Sequence, residues 1–147
     1  MGSKNKLKRF RENDSFSNVI QPTREELLNG SSLKGNWQNH FNNTNPIVLE
    51  LGCGKGEYTI DLARKNPNIN YIGIDLKGAR FWRGTKIALE ENLTNVAFIR
   101  TQIELIDLLF NENEVSEIWI TFPDPQIKYT RTKHRLTNAE FLKKYHT

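Results

Sequence analysis

Asp124 stands between Pro123 and Pro125, just after an apolar run of β type, and Lys128, Arg131, Lys133 and Arg135 follow close behind. Proline fixes φ and removes a backbone donor, so the two prolines end the strand and stiffen the segment that carries the acid. A rigid carboxylate beside clustered phosphate-attracting cations is equipment for modifying a nucleic acid. The same residues also read as a strand-ending turn followed by a solvated basic loop.

A second motif lies upstream. Glu50-Leu51-Gly52-Cys53-Gly54-Lys55-Gly56 follows the apolar run Ile47-Val48-Leu49 and precedes a helix predicted over 57–65, which Asn66-Pro67 stops. Tyr58, Leu62 and Ala63 supply that helix with an inward face. Glycines admit close backbone approach and unusual dihedrals, and free amides at a helix start point into the crevice. The spacing is G-x-G-x-G, with Glu57 where a dinucleotide fingerprint has its third glycine. An acid just before the turn would repel a pyrophosphate and suits a ligand that offers an ammonium group. S-adenosylmethionine is such a ligand, with an amino acid end, a sulfonium charge and no phosphate. Asn70-Tyr71-Ile72-Gly73-Ile74 then reads as a strand ending in Asp75, where a carboxylate can accept both ribose hydroxyls of any adenosine ligand. Asp75 also reads as a helix N-cap.

Taken together, Glu50 to Gly56, Gly73-Ile74-Asp75 and Phe122-Pro123-Asp124-Pro125 with Lys128 resemble the bacterial tRNA (guanine-N7-)-methyltransferase family. The stretches Lys8-Arg9-Phe10 and Asn18 to Pro22 are similar to its leader. The glycine motif is common to many methyltransferases; the proline-flanked acid with its basic extension is specific. The resemblance implies a Rossmann-like class I S-adenosylmethionine-dependent methyltransferase fold, α/β with a parallel sheet, acting on a variable-loop guanine of tRNA. It implies Glu50 at the methionyl amino group, Gly52 and Gly54 in the cofactor turn, and Asp75 at the ribose. Gln102 stands where the family commonly has an acid beside the adenine amine. Asp124 is implied as the active-site acid, touching base or cofactor, and Lys128 as a substrate-binding lysine, with Arg131, Lys133 and Arg135 extending the RNA contact. The N7 atom of guanine carries no proton, so its methylation needs alignment more than a strong base, and positioning can be worth roughly 7–11 kcal/mol. The ring becomes cationic as it reacts, and a fixed carboxylate stabilises that charge.

Composition bounds the alternatives. Hydrophobic residues make up 37% and charged residues 26%, as in an ordinary soluble domain. No apolar run approaches a membrane span and no signal pattern appears, so a cytoplasmic protein without membrane contact is expected. The lone Cys53 leaves no disulfide and no cysteine-based zinc site, and no metal is expected; in the glycine turn it reads as a packing residue. Charge is uneven: residues 1–11 hold five Lys/Arg and no acid, 12–127 hold ten against sixteen Asp/Glu, and 128–147 hold six against one. An acidic body between basic flanks is the footprint of a polyanion partner, or else a basic tail and a solvated loop.

The elements that must position these residues are strands over 47–51, 70–75, 96–100 and 117–122, a helix over 77–91 and a short helix over 104–110. Phe81, Trp82, Thr85, Ala88 and Leu89 group on one face of the longer helix, and Trp82 and Trp119 read as core residues. Strands alternating with helices predict a parallel sheet with right-handed crossovers. Residues 1–45 read as a basic leader with a short helix that Thr23 caps, and 46–147 as an incomplete methyltransferase domain. Four strands are little more than half of such a sheet, and the family's C-terminal strands and substrate motifs have no counterpart here. The strand over 117–122 is expected at the sheet edge, and the chain is expected to be a piece of a longer protein. An amino methyltransferase on DNA or RNA is a second reading, weakened because Gln126-Ile127 replaces the proline and aromatic such enzymes place after Asp-Pro. A non-catalytic RNA-binding module is a third.

Overall fold

A computed structural model describes residues 16–76, 78–111, 113–120 and 131–132. Strand β1 (Val19–Ile20) is followed by helices α1 (Arg24–Leu28) and α2 (Trp37–Phe41), then β2 (Ile47–Leu51), α3 (Glu57–Lys65), β3 (Asn70–Asp75), α4 (Gly78–Glu90) and β4 (Val96–Arg100). A 3₁₀ helix (Ile103–Leu108), β5 (Glu117–Ile120) and β6 (Arg131–Thr132) complete the described elements. The sheet runs β1-β4-β3-β2-β5-β6, parallel except for the β5–β6 pair. The expected edge position of β5 is therefore corrected: β6 pairs with it antiparallel, Ile118 opposite Thr132 and Trp119 opposite Arg131. The predicted strand extends to Phe122, but 121 and 122 lie outside the described residues.

Because β2, β3 and β4 are flanked by strands and covered on both faces, nearly every residue in them is buried and most are apolar. Period-two alternation divides them between two cores. Ile47, Leu49, Leu51, Ile72, Ile74, Ala97 and Ile99 face one cluster, and Val48, Tyr71, Val96 and Phe98 face the other. Helices α3 and α4 cover the second face through Ile60, Ala63, Phe81 and Ala88. The first face is covered by the leader and the 3₁₀ helix: Leu27, Trp37, Phe41, Ile106 and Phe110 all join its cluster.

Residues 18–45 thus pack on the same core as the sheet. Trp37 stacks on Phe110 with centroids 4.9 Å apart, and its indole N–H donates to the Leu109 carbonyl at 2.8 Å. Glu114 secures the entry to α2: its Oε1 accepts from the Gly35 and Asn111 amides at 3.0 Å each, and its Oε2 from the Trp37 amide at 3.2 Å. Of the three, the Trp37 amide is a donor that a helix start leaves without an intrahelical partner. Asn95 does the equivalent at the far end of α3, its side-chain amide reaching the carbonyls of Ala63, Asn66 and Ile69.

Two side-chain expectations are corrected. The buried face of α3 is Thr59, Ile60 and Ala63, while Tyr58 is 44% exposed against the Trp119 ring and Leu62 is only partly covered. On α4, Phe81, Thr85 and Ala88 are buried as predicted, but Leu89 is exposed. Trp82 and Trp119 are half-buried, and Trp37 is the fully buried indole.

Candidate functional site

Parallel strands deliver their carboxyl ends to one rim of the sheet, and the turn after each strand decides what stands there. At the end of β2, Leu51 is followed by a turn with three glycines at positive φ: Gly52 (76°), Gly54 (56°) and Gly56 (80°). The amides of Gly52 and Cys53 both donate to the Ile74 carbonyl, at 2.7 and 3.0 Å, which locks the turn onto β3. Gly54 is open: a Cβ there would meet nothing within 4 Å. Gly56 is closed, since a Cβ would stand 2.8 Å from the Phe98 ring. Phe98 rises from β4 beneath the turn, stacked on Phe81, and also forbids a side chain at Gly73. The first two glycines shape the rim, and the third lets α3 close down on the sheet.

Glu50 is one residue back from the end of β2, on the face that α3 covers, and is 4% exposed. Its Oε1 accepts from the Thr59 hydroxyl at 2.5 Å. Burial pushes its carboxyl up to about 7, against the opposing pull of the Thr59 hydrogen bond. Its Oε2 is buried with no hydrogen-bond partner among the described residues. A buried acceptor in that condition costs free energy until a donor arrives, and a cation is the donor that best restores its charge. The observation fits the ammonium group expected there.

Asp75 ends β3, is 8% exposed, and accepts the Gly54 amide on Oδ2 at 2.9 Å. Its carbonyl accepts from Thr101, tying the β3 and β4 exits together at 3.2 Å. The Gly54 bond links Asp75 to the glycine turn. The structure therefore brings Glu50, Gly52, Gly54 and Asp75 to one rim. Gln102, exposed at the start of the 3₁₀ helix, lies further along it past β4. Leu51 pairs with Ile120, so β5 leads the chain toward the same rim four residues before Asp124. Asp124, Lys128, Lys133 and Arg135 lie outside the described residues, and Arg131 is described as part of β6.

Sequence reasoning missed Thr59, whose partner Glu50 is nine residues away across the turn, and missed Leu76, an apolar residue 52% exposed next to Asp75. Cys53 is buried, and its thiol is pushed up by burial and by the carboxylates of Glu50 and Asp75, which suits packing and opposes nucleophilic use. Among the described residues no three His, Cys, Asp or Glu side chains could hold a metal ion, and no helix is long and apolar enough to cross a membrane. Two acids flanking a glycine turn that is open at Gly54 form a receptacle for a cationic ligand that also carries hydroxyls.

The comparisons with known proteins agree with this geometry. A family model described as "Putative methyltransferase" matches residues 44–147. A tRNA (guanine-N(7)-)-methyltransferase of Christiangramia forsetii is 74% identical, over 99% of this chain and 66% of its own length. Proteins of the same name from Porphyromonas gingivalis (56%, covering 90% and 55%) and Cytophaga hutchinsonii (45%, covering 97% and 63%) are also similar. The chain spans between about half and two thirds of the length of these relatives. Among solved structures, a 30S ribosomal A1408 methyltransferase from an uncultured bacterium superposes with TM-score 0.53 at 25% identity, covering 65% of this chain and 48% of the other. The 16S rRNA methyltransferase KamB superposes with TM-score 0.54 at 20% identity, covering 67% and 45%. The sheet order, the parallel pairing and these neighbours make the fold the Rossmann-like class I type expected from the sequence.

Proposed function

The chain belongs to the bacterial tRNA (guanine-N7-)-methyltransferase family, and on that premise we propose that its protein methylates N7 of a guanine in tRNA, in the variable loop, using S-adenosylmethionine. The observation that carries the reading is 74% identity along 99% of the chain to a relative of that name. The geometry supports it independently, through the buried Glu50 oxygen without a described partner and the Asp75–Gly54 link on the same rim.

When bound, the cofactor supplies an electrophilic methyl on a sulfonium. The protein's share is placement and charge. Glu50, ionised, receives the ammonium group and fixes the amino acid end, while Thr59 keeps the carboxylate in one rotamer. Asp75 accepts from the ribose hydroxyls, and its hold on Gly54 keeps the backbone open where the ligand crosses the turn. Gln102 offers an amide oxygen to the adenine amine. Asp124, stiffened by its prolines, orients the guanine and faces the cation that develops on it. Lys128, Arg131, Lys133 and Arg135 hold RNA phosphates. The body over 46–147 is the cofactor-binding and catalytic unit, and the basic residues of 1–45 add to the electrostatic attraction of tRNA. The protein acts in the cytoplasm, where its substrate is.

The test is mass spectrometry of tRNA after incubation with labelled S-adenosylmethionine, on the chain and on a protein of the relatives' length. Label as 7-methylguanosine supports the proposal. Label on an adenine or cytosine amine would replace it with the amino methyltransferase reading, and cofactor binding without transfer in both proteins would leave a binding module.

A further inference from the structure

β1 runs parallel to β4, with Val19 opposite Phe98 and Ile20 opposite Ile99. A parallel edge strand releases its continuation at the same rim as its neighbour, so Gln21 and Pro22 emerge level with Arg100 and Thr101. Pro22 has no amide to extend the ladder, and the chain turns there. Thr23 then caps α1, its hydroxyl accepting the Glu26 amide at 3.1 Å, and Leu27 is buried in the core beneath. The Phe98 amide donates to the Asn18 carbonyl at 2.8 Å, fixing the register of the approach. Ladder, cap and core contact together hold this short stretch at the mouth of the site.

The result is a cleft of about 140 Å³ lined by Pro22, Arg24 and Leu27 from the leader and by Leu76, Arg100, Gln102 and Leu105 from the strand exits and the 3₁₀ helix. It opens one residue beyond Asp75. Leu76 presents an apolar surface to it, and Gln102 an exposed amide. The volume is well below the roughly 300–1,000 Å³ of pockets that enclose a drug-sized ligand, and suits one flat ring system. The cleft thus combines apolar side chains, the guanidinium of Arg24 from the leader and that of Arg100 from the end of β4, and the exposed amide of Gln102. A guanidinium stacks on aromatic faces.

We propose that Pro22–Leu27 of the leader, a segment outside the family match, forms the outer wall of the subsite for the cofactor's purine, with Arg24 lying over the base. This rests on the S-adenosylmethionine reading above. It makes the leader part of the cofactor site, so cofactor binding tightens α1 and loosening of α1 weakens binding.

Calorimetry of the full chain with S-adenosylhomocysteine and with 5′-methylthioadenosine, which share the adenosine, tests it against Arg24→Ala and Arg24→Asp. Both ligands should weaken by the same factor, about fivefold or more, the scale of a partly desolvated cation–π contact. Ligand-free melting midpoints should stay put, because Arg24 is exposed. Hydrogen exchange at the α1 amides of Leu27 and Asn29, which donate to Thr23 and Glu25, should slow on saturation with S-adenosylhomocysteine. Unchanged affinities in both variants, a loss that tracks a lowered midpoint, or exchange in α1 indifferent to ligand would each overturn the wall and leave the cofactor reading intact. Wild-type chain that binds neither ligand overturns both.

Discussion

Replacing Glu50 with Gln separates the two jobs given to that side chain. In the ligand-free protein its carboxyl is raised from 4.5 to about 7 by burial, with Thr59 partly offsetting the shift. At 1.36 kcal/mol per unit, ionising it in place costs about 3 kcal/mol more than in the unfolded chain. The folded pKa lies above the unfolded one, so this contribution to stability is fully present below pH 4.5 and is lost as pH rises through 7. Glutamine keeps an acceptor for Thr59 and removes the charge, but leaves an amide N–H where Oε2 is buried, at about 1–3 kcal/mol. The variant should therefore be less stable than wild type at pH 5 and equal to it or better at pH 8, by urea denaturation. Binding should change in the opposite sense. An arriving ammonium lowers the carboxyl's pKa, so wild-type affinity for S-adenosylhomocysteine should climb with pH up to about 7 and then level. Below pH 7 binding should release close to one proton, measurable by calorimetry in buffers of different ionisation enthalpy. In the variant the affinity should fall at least about tenfold at pH 8, as for loss of a charged hydrogen bond, with no proton released. Wild-type affinity that is flat from pH 5.5 to 8, together with unchanged binding by Glu50→Gln, would refute the assignment.

Further tests reach other parts of the molecule. Gly73→Ala should lower stability by about 1–3 kcal/mol, because its methyl would meet the Phe98 ring at 2.9 Å, and Phe98→Leu in the same chain should recover part of the loss in melting midpoint. Glu114→Ala leaves the amides of Gly35, Asn111 and Trp37 without their acceptor and should cost about 1–3 kcal/mol in urea denaturation, while Asp107→Ala on the exposed face of the 3₁₀ helix should change little. Asp124→Ala should abolish methyl transfer while tRNA affinity hardly moves in a filter-binding assay; retained turnover removes the residue from the mechanism. Reversing charge at Lys128, Arg131 and Lys133 should flatten the salt dependence of tRNA binding by about 0.7–0.9 in slope per lost phosphate contact.

The sheet was legible because its central strands are buried on both faces and read as largely apolar runs, and α3 was legible from the glycine turn before it and Asn66-Pro67 after it. That Glu50 and Asp75 share one rim followed from their positions at strand ends, since a parallel sheet gathers such ends together. What escaped were features that depend on partners distant in sequence. β1 is two residues long and exists only through β4. Leu27, Trp37 and Phe41 sit in five-residue helices too short to show a period, yet they close one face of the sheet. The inward face of α3 was misjudged because Tyr58 looks more apolar than Thr59; burying Thr59 is what brings its hydroxyl to Glu50.

Phe98 gives the glycine motif a wider definition than its seven letters. One ring occupies the space that side chains at Gly56 and Gly73 would need and bears on Gly84 as well. The functional unit is thus an assembly drawn from four segments, with an aromatic keystone in β4 and glycines in the turn, β3 and α4. Grafting Glu50 to Gly56 alone onto another parallel sheet would transfer the letters without their support. A designer who wanted the loop's shape would have to carry the ring and its empty neighbours along with it.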